Sequence, residues 1–437
     1  MIKNIMYKKR RKKLFDLMKN NSMVLIEAAQ EKYRNNDSTF RYRQCSNFYY
    51  LTGYDKPSGL LIILKEDKTL TTHFFTKKPN IHDEIWTGKL ATSSKVKKLY
   101  GFDKCDYLCD FEKHLKLYLE NNKTIYHDWD ENSINKLIYN KSLSKLEKKY
   151  RSGAELPSEF FSLKKILHKL RLIKDKEEIG LIRAAGKISA QAHIEMIKKC
   201  KPGLTERELE AVLLYNFNTN NATEAYTSIV ASGKNACILH YIDNSSTLKN
   251  GQLLLTDAAC EYKNYASDIT RTIPINGKFT KEQKLIYNLV LDAQEKAIEA
   301  CIVGNTLQDI HTIAVKVICR GLIKIGLISK PYKEAMKDQL YKKYYMHNTG
   351  HWLGLDVHDP SEYKEDKKPV KLKPGMIFTV EPGLYIRADN SISKKFHDIG
   401  IRIEDDILVT KNGPEVLTSK VPKSSDEIEN LMRYNND

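Results

Sequence analysis

Five side chains able to bind metal ions are spread over the second half of the chain. Four are carboxylates and one is an imidazole: Asp257, Asp268, His351, Glu381 and Glu404. Oxygen donors with a single nitrogen favour divalent cations such as Mn²⁺, Mg²⁺, Co²⁺ or Zn²⁺ over soft metals. Four acids are more than one ion needs. The set therefore predicts two ions that share bridging oxygens, an arrangement that activates water for hydrolysis.

A dense group of histidines accompanies these acids. His347, His351 and His358 fall within one twelve-residue segment, which is unusual for an ordinary protein core. The two glycines inside that segment permit a tight backbone and close approach of a substrate. His240 follows an apolar stretch; taken alone, it fits a structural role better than a functional one.

Asp257 and Asp268 are expected to meet across a β-hairpin. If Tyr262 and Lys263 form its turn, the two acids lie directly opposite each other, with Cβ atoms about 4.5–5.5 Å apart. Two carboxylates in that position repel each other unless a cation binds or one of them is protonated. The pair therefore favours a metal site over solvent-facing acids.

A second acidic strand is predicted at residues 400–409. Its alternating pattern places Arg402 and Glu404 on one face and two isoleucines on the other. Arg402 could orient a metal-binding carboxylate, and a structural salt bridge is the alternative. Segments 251–257 and 375–381 both run from glycine through an apolar strand to an acid. This similarity predicts two related hairpins that each supply two acids, with chance similarity as the alternative.

The secondary-structure elements that must position these residues are a mixture of helices and strands. Helices are predicted after capping boxes at residues 175–178, 205–208 and 280–283, and after Asn305 or Thr306. Strands are predicted at 253–257, 269–275 and 377–380, and further strands at 47–53 and 58–64 in the first half. Helices mixed with hairpins indicate an α+β fold. A polar stretch at 142–157 places the domain boundary near residue 170, giving domains 1–170 and 171–437.

The composition of the chain limits the classes of function that the protein can have. The net charge of +17 comes from lysines spread along the whole chain, which fits compositional bias better than nucleic-acid binding. No apolar run approaches the roughly 20 residues that span a bilayer. The basic run at 8–13 lacks a following apolar segment, so we expect a basic helix and no secretory signal. The eight scattered cysteines predict reduced, mostly buried thiols in a cytoplasmic protein.

At these residues the chain resembles the pita-bread metallopeptidases, most closely the bacterial Xaa-Pro aminopeptidases (aminopeptidase P). The resemblance extends over nearly the full length and rests on several segments together. They are 42–53 (YRQCSNFYYLTG), 84–88 (EIWTG), 229–233 (IVASG), 238–241 (ILHY), 265–272 (YASDITRT), 351–358 (HWLGLDVH), 374–385 (PGMIFTVEPGLY) and 400–405 (GIRIED).

The resemblance implies a creatinase-like N-terminal domain, a pita-bread catalytic domain, two divalent ions, usually Mn²⁺, and a homodimer or homotetramer. By residue match, Asp257 would bind one ion, His351 and Glu381 the other, and Asp268 and Glu404 both. Other positions match substrate-side or supporting residues of the family: His240, His347, His358, Tyr226 and Arg402. The sequence departs from the family at Asn348, where glycine is usual; asparagine tolerates left-handed backbone angles, so the turn is expected to survive.

The implied reaction releases the residue that precedes a proline at the second position of a peptide. Glu381 is the expected proton shuttle, and His358 or His240 would stabilise the developing oxyanion or the departing proline nitrogen. Trp86 and the histidine-rich segment are candidates for the proline pocket. A prolidase that cleaves only Xaa-Pro dipeptides would use the same ligands and remains an alternative. The more remote alternative is a non-catalytic pita-bread protein that only binds partners.

Overall fold

The computed structural model of the chain describes residues 2–128 and 133–433. It contains two compact units, Met1–Leu170 and Arg171–Asp437. The first unit is built on a six-stranded mixed sheet. The helices up to the boundary are α1 (Ile2–Leu17), α2 (Ser46–Thr52), α3 (Ile81–Thr87), α4 (Ser93–Tyr100), α5 (Phe111–Glu120), α6 (Ile134–Glu147) and α7 (Leu163–Leu172). The strands are β1 (Ser22–Glu27), β2 (Tyr33–Asn35), β3 (Ser38–Thr39), β4 (Gly59–Glu66), β5 (Thr69–Thr76), β6 (Lys104–Tyr107), β7 (Thr124–His127) and β8 (Glu159–Ser162).

The large sheet of the first unit has the order β6-β5-β4-β1-β7-β8. Strand β4 lies inside the sheet and confirms the buried strand predicted at 58–64. Antiparallel pairing joins β1 to β4 and β4 to β5, and parallel pairing adds β6 and β7.

The basic run near the N-terminus has a structural explanation. It lies in α1, as expected, and its two arginines are fully buried. Arg11 donates to the carbonyl oxygens of Leu51, Tyr100 and Gly101 at 2.8, 3.3 and 2.9 Å. Arg10 lies over the ring of Tyr50 at 4.5 Å. These carbonyls lie at or just beyond the ends of α2 and α4, where backbone oxygens lack partners within the helix.

The strand predicted at 47–53 is wrong, because this segment forms the helix α2. Its aromatic residues pack inside the first unit instead of alternating across a sheet. The helix ends at Gly53, which has a φ of +66°. A Cβ atom there would lie 2.1 Å from the ring of Tyr7, so only glycine fits.

The second unit alternates long helices with short antiparallel strand groups. Its helices are α8 (Lys176–Lys199), α9 (Glu206–Thr219), α10 (Lys281–Glu299), α11 (Leu307–Lys324), α12 (Tyr332–Lys337) and α13 (Ser425–Arg433). Its first strands are β9 (Thr223–Glu224), β10 (Ile229–Ser232), β11 (Leu253–Asp257), β12 (Cys260–Tyr262), β13 (Tyr265–Ala266) and β14 (Thr270–Pro274). The later strands are β15 (Lys364–Glu365), β16 (Lys368–Pro369), β17 (Ile377–Val380), β18 (Gly383–Ile386), β19 (Ile399–Arg402), β20 (Asp405–Thr410) and β21 (Gly413–Val416).

Local sequence signals correctly predicted where the long helices begin. The three predicted capping boxes are present at the starts of α8, α9 and α10. A fourth capping box, from Thr306 to Asp309, begins α11, so the cap of this helix is Thr306 and not Asn305. Each box satisfies backbone N–H groups that the first helical turn leaves unpaired.

Two antiparallel strand pairs carry the acidic residues. Strand β11 pairs with β14, and β17 pairs with β20. In both pairs an acid lies at or just after the end of the first strand, and another acid precedes the second. The internal similarity in the sequence therefore corresponds to two similar hairpin-like units around one site.

The strand predicted at 400–409 is interrupted. Residues before the break form β19 and pair with β18, whereas residues after it form β20 and pair with β17. Glu404 lies at this break, between two strand pairs, where its side chain can turn inward. Among the helices of residues 2–128 and 133–433, none has both the length and the apolar character of a membrane span. The eight cysteines are unpaired thiols, five of them buried.

Candidate active site

Asp257 and Asp268 share one hydroxyl group. The Tyr226 hydroxyl lies 2.6 Å from Asp257 Oδ1 and 2.5 Å from Asp268 Oδ1. The predicted meeting of the two acids is thus present, but the predicted register is wrong. Asp257 pairs with Thr270, two positions beyond Asp268. A shift of two residues keeps a side chain on the same face, which is why the acids still meet.

The turn explains the shifted register. Lys263 and Asn264 both have positive φ, at 51° and 66°, and Tyr262 pairs with Tyr265 across them. Two central residues with positive φ are characteristic of a type I′ hairpin turn. Asparagine adopts this conformation readily, so the turn centres on Lys263 and Asn264 and not on the residues predicted.

Arg402 links the acids to the neighbouring strand pair. Its guanidinium group donates to Asp257 Oδ2 at 2.6 Å, to the Tyr385 hydroxyl at 2.9 Å and to Thr270 Oγ1 at 3.1 Å. The ion pair with Asp257 is almost completely buried. Glu404 accepts a hydrogen bond from the same Thr270 hydroxyl at 2.6 Å. Arg402 and Glu404 therefore approach the same point, as their predicted shared face requires.

The histidine-rich segment runs beside β17, which places His351 next to Glu381. The backbone N–H of Thr379 donates to His351 O at 3.0 Å, and that of Glu381 donates to Thr349 O at 2.8 Å. This close pairing needs Gly350, because a Cβ atom there would lie 1.9 Å from Thr379 O. His351 Nε2 then lies 3.7 Å from Glu381 Oε1.

Three of the predicted ligands form a compact group. Asp268, His351 and Glu404 each offer one ligand atom, and these atoms all lie within 4.8 Å of one another. His351 Nε2 is 3.4 Å from Asp268 Oδ2. Its Nδ1 lies 3.2 Å from the carbonyl of Trp352, a contact that leaves Nε2 facing the acids.

These residues line one cavity of about 790 Å³. All five predicted ligands contribute to its wall, together with Tyr226, Arg402 and the three predicted substrate-side histidines, His240, His347 and His358. His347 Nε2 lies 2.9 Å from the Tyr385 hydroxyl, and the rings of His358 and His351 are 4.2 Å apart. Asn348 also lines the cavity and does not have a positive φ, so the left-handed conformation considered for this position is not needed.

Trp86 is located differently from the other predicted residues. It belongs to α3 in the first unit, and its side chain is 79% exposed. The residues that line the cavity all belong to the second unit, and Trp86 is not among them.

The loop that carries His358 is anchored by a buried ion-pair group. Asp359 accepts hydrogen bonds from Arg171 at 2.5 Å and Lys174 at 3.2 Å, and Arg171 also donates to Asp356 at 2.7 Å. Arg171, Lys174 and Asp359 are almost fully buried. These bonds hold the loop on the cavity wall.

Burial and mutual repulsion make the ionised forms of these acids unfavourable unless cations are bound. Burial raises the pKa of Glu404 well above its ordinary value, and the charges of Asp268 and Glu381 raise it further. Burial raises the pKa of Glu381 to about 7, against the opposing charges of His351 and Arg402. Burial also raises the pKa of Asp257, although the charge of Arg402 opposes it. Four buried or half-buried acids face two cationic side chains, Arg402 and His351, so the group is suited to bound cations.

The histidines differ in protonation. Burial lowers the pKa of His351, but the hydrogen bond with Asp268 and the charge of Glu381 outweigh it and raise the pKa to about 9. Burial and the charge of Arg402 lower the pKa of His347 to about 3. His347 is therefore neutral at ordinary pH.

Sequence reasoning missed three polar residues that hold the site together. Thr270 joins Glu404 to Arg402, Tyr385 joins Arg402 to His347, and Thr379 donates to the Glu381 carboxylate at 3.4 Å. For Thr270 and Thr379 the signal was the two-residue period of a strand, since Thr270 follows Asp268 and Thr379 precedes Glu381 by two positions.

Comparison with known families agrees with this geometry. The family described as "Metallopeptidase family M24" matches residues 180–411, and "Aminopeptidase P, N-terminal domain" matches residues 7–126. The chain belongs to metallopeptidase family M24. As a member of this family it is a metalloexopeptidase, with an aminopeptidase P N-terminal domain followed by a pita-bread catalytic domain. The predicted α+β fold class is confirmed.

Relatives of this M24 peptidase align over almost its whole length. It is 38% identical to the Xaa-Pro aminopeptidase of Escherichia coli K12, with 98% of this chain and 97% of the relative covered. The solved structure of the aminopeptidase PepP of Pseudomonas aeruginosa is similar, with a TM-score of 0.96, 41% identity and 98% of each chain covered. That of proline aminopeptidase P II from Yersinia pestis has a TM-score of 0.96 at 37% identity, covering 99% of this chain and 100% of the other.

Proposed function

We propose that the chain releases the N-terminal residue from peptides that have proline at the second position, using two divalent metal ions. The observation that carries the proposal is the convergence of Asp257, Asp268, His351, Glu381 and Glu404 on one cavity. Relatives named Xaa-Pro aminopeptidase support the substrate class.

The donor set supports hard or borderline divalent ions. Asp257 would bind one ion, His351 and Glu381 the other, and Asp268 and Glu404 both. The surplus of buried negative charge fits this assignment, because unpaired carboxylates are costly to bury. Bound divalent ions would supply a Lewis acid and an activated water for peptide hydrolysis. Manganese follows from the family resemblance and from the predominance of oxygen donors.

The remaining residues would orient the substrate and move protons. Glu381 lines the cavity beside His351, with its Oε1 atom 3.7 Å from His351 Nε2. It would take a proton from the attacking water and deliver it to the departing proline nitrogen. His358 and His240 line the cavity and would stabilise the carbonyl oxygen or the leaving nitrogen. Arg402 and Tyr226 would position Asp257.

The proline pocket is proposed on the cavity wall near the histidine-rich segment. Apolar and aromatic side chains line the cavity beside polar groups, including Ile229, Ile242, Val357 and Tyr363. Trp86 stays a candidate on the resemblance alone. The proposal also includes a homodimer or homotetramer, taken from the family resemblance, and a cytoplasmic location, taken from the scattered cysteines.

The first test is hydrolysis of Arg-Pro-Pro by metal-stripped protein after Mn²⁺ is restored, beside Asp268→Ala. We expect metal-dependent release of free arginine from the wild type and none from the variant. Cleavage of an Xaa-Pro dipeptide without cleavage of the tripeptide would replace the proposal with a prolidase. Failure on both peptides, with no metal bound, would replace it with a binding function.

A further inference from the structure

A second group of metal-ligand side chains lies in the first unit. His73, Asp106 and His114 each offer one ligand atom, and these atoms lie within 4.8 Å of one another. His73 Nε2 is 2.8 Å from Asp106 Oδ2, and His114 Nε2 is 3.4 Å from the same oxygen. The two imidazole rings are 4.7 Å apart. Two nitrogens and one oxygen therefore face a common point.

The fold brings these three side chains together. Strands β5 and β6 are parallel neighbours in which Phe75 pairs with Asp106. His73 lies two positions before Phe75 and so shares its face of the sheet. The helix α5 packs on this face and contributes His114, whose ring is 5.7 Å from Phe75. Each ligand thus comes from a different regular element, which gives a rigid arrangement.

A fourth side chain orients the buried histidine. The Tyr118 hydroxyl lies 2.8 Å from His73 Nδ1. Tyr118 follows His114 by one helical turn on α5, so one helix supplies both a ligand and the group behind another ligand. Metal-binding histidines usually have their second nitrogen held by such a partner, which points the first nitrogen at the ion.

The group is accessible from one side. His73 is fully buried, whereas the side chains of Asp106 and His114 are 45% and 29% exposed. An ion could enter from solvent and keep one coordination position for water. Three protein ligands with an open position are common for Zn²⁺.

We propose that His73, Asp106 and His114 form a binding site for a divalent transition-metal ion such as Zn²⁺. The site is separate in donor type from the proposed peptidase centre: it has two nitrogens and one oxygen, whereas the peptidase centre has four carboxylates and one imidazole. Nitrogen-rich sites bind Zn²⁺ well, and oxygen-rich sites suit Mn²⁺. The alternative is a structural hydrogen-bond group in which Asp106 joins the two histidines without an ion.

The test uses the full-length chain carrying Asp268→Ala and Glu404→Ala, which removes two predicted ligands of the peptidase centre. Metal-free protein is titrated with Zn²⁺ against a chromophoric chelator. We expect one Zn²⁺ bound per chain. Adding Asp106→Asn should weaken this binding by at least about 10-fold, although the amide oxygen can still accept a hydrogen bond from His73.

His114→Ala provides a second variant, because this partly exposed side chain can be removed with little effect on folding. It should weaken Zn²⁺ binding similarly. His82→Ala, which removes an exposed imidazole of the same unit, is the matched control and should leave binding unchanged. Zn²⁺ should also raise the melting temperature of the parent and of His82→Ala, but not of Asp106→Asn. Absence of bound Zn²⁺ in the parent, or equal binding in all variants, would overturn the proposal and leave the hydrogen-bond group.

Discussion

At the scale of single residues, the Tyr226 hydroxyl shows why the peptidase centre needs cations. It lies within hydrogen-bond distance of both Asp257 and Asp268. A hydroxyl has one proton and can donate to only one of them at a time. The charge of Arg402 offsets that of Asp257, so the charge of Asp268 would be offset by His351 and by the proposed metal ions.

Replacing Tyr226 by phenylalanine tests this arrangement. The change removes the hydroxyl and leaves the ring, so we expect the metal affinity to fall by about 10- to 100-fold. Mn²⁺ titration of peptidase activity would measure it. Tyr215→Phe, at a tyrosine that is 68% exposed, is the control and should leave the titration unchanged. An unaltered Mn²⁺ titration in Tyr226→Phe would show that the hydroxyl does not support the ligands.

At the scale of elements, α2 shows how packing determines secondary structure. The run of aromatic residues suggested a strand, but the segment is a buried helix that ends at Gly53. Arg11 bonds to Leu51 O near this end, and Tyr7 packs against Gly53 itself. The stabilising partners come from α1, which is distant in sequence.

Gly53→Ala should therefore destabilise the protein more than an ordinary glycine substitution. The alanine meets a strained positive φ and also overlaps the Tyr7 ring, and overpacking alone costs about 1–3 kcal/mol. Thermal unfolding would measure the loss. Gly203→Ala is the matched control, because Gly203 has a φ of +92° and no atom within 4 Å of a new Cβ. Equal losses in the two variants would mean that the contact with Tyr7 is unimportant.

The ion pairs of Asp359 hold the loop that carries His358 in place. Asp359→Asn leaves Arg171 and Lys174 buried without their main counter-charge, which should cost about 3–5 kcal/mol. Thermal unfolding at pH 7 would measure this. Asp426→Asn, whose partner Lys284 lies at the surface, is the control and should cost about 1 kcal/mol or less.

The ion pairs of Asp359 also predict that the stability of the protein depends on pH. Burial alone would raise the pKa of Asp359, but the charges of Lys174 and Arg171 outweigh it and lower the pKa below its ordinary value. A carboxyl group with a lowered native pKa stabilises the fold above its unfolded pKa of about 3.9, and this stability is lost as pH falls through the native value. The stability difference between wild type and Asp359→Asn should therefore narrow below pH 4. A constant difference down to pH 3 would contradict this account.

At the scale of the whole molecule, bound metal should contribute to stability as well as to activity. Ions that bind only the folded chain stabilise it by about 4 kcal/mol at about 1,000 times their dissociation constant. Chelation should lower the melting temperature, and Mn²⁺ should restore it. The Asp268→Ala/Glu404→Ala variant should respond much less. An identical response in that variant would place the stabilising ion outside the peptidase centre.

Much of the fold and the site was predictable because the signals were local. Capping boxes predicted the starts of α8, α9 and α10. Alternation predicted that Arg402 and Glu404 face the same group, which is the Thr270 hydroxyl. All five predicted ligands line the same cavity.

The errors came from choices that local sequence leaves open. The turn could centre on either of two neighbouring pairs, and the conformational freedom of Asn264 decided the register. The strand at 400–409 is broken because its halves pair with different partners, β18 and β17. The helix α2 likewise depends on α1.

The sequence by itself determined the set of candidate metal-binding donors, the helix starts and the membership in a peptidase family, since these depend on residue types and short spacings. Only the tertiary structure decided which residues meet. Arg402 reaches Asp257 across 145 positions, and His73 reaches Asp106 across 33. Such contacts depend on how strands and helices pack, because the packing of a buried core is what brings distant segments into hydrogen-bond range.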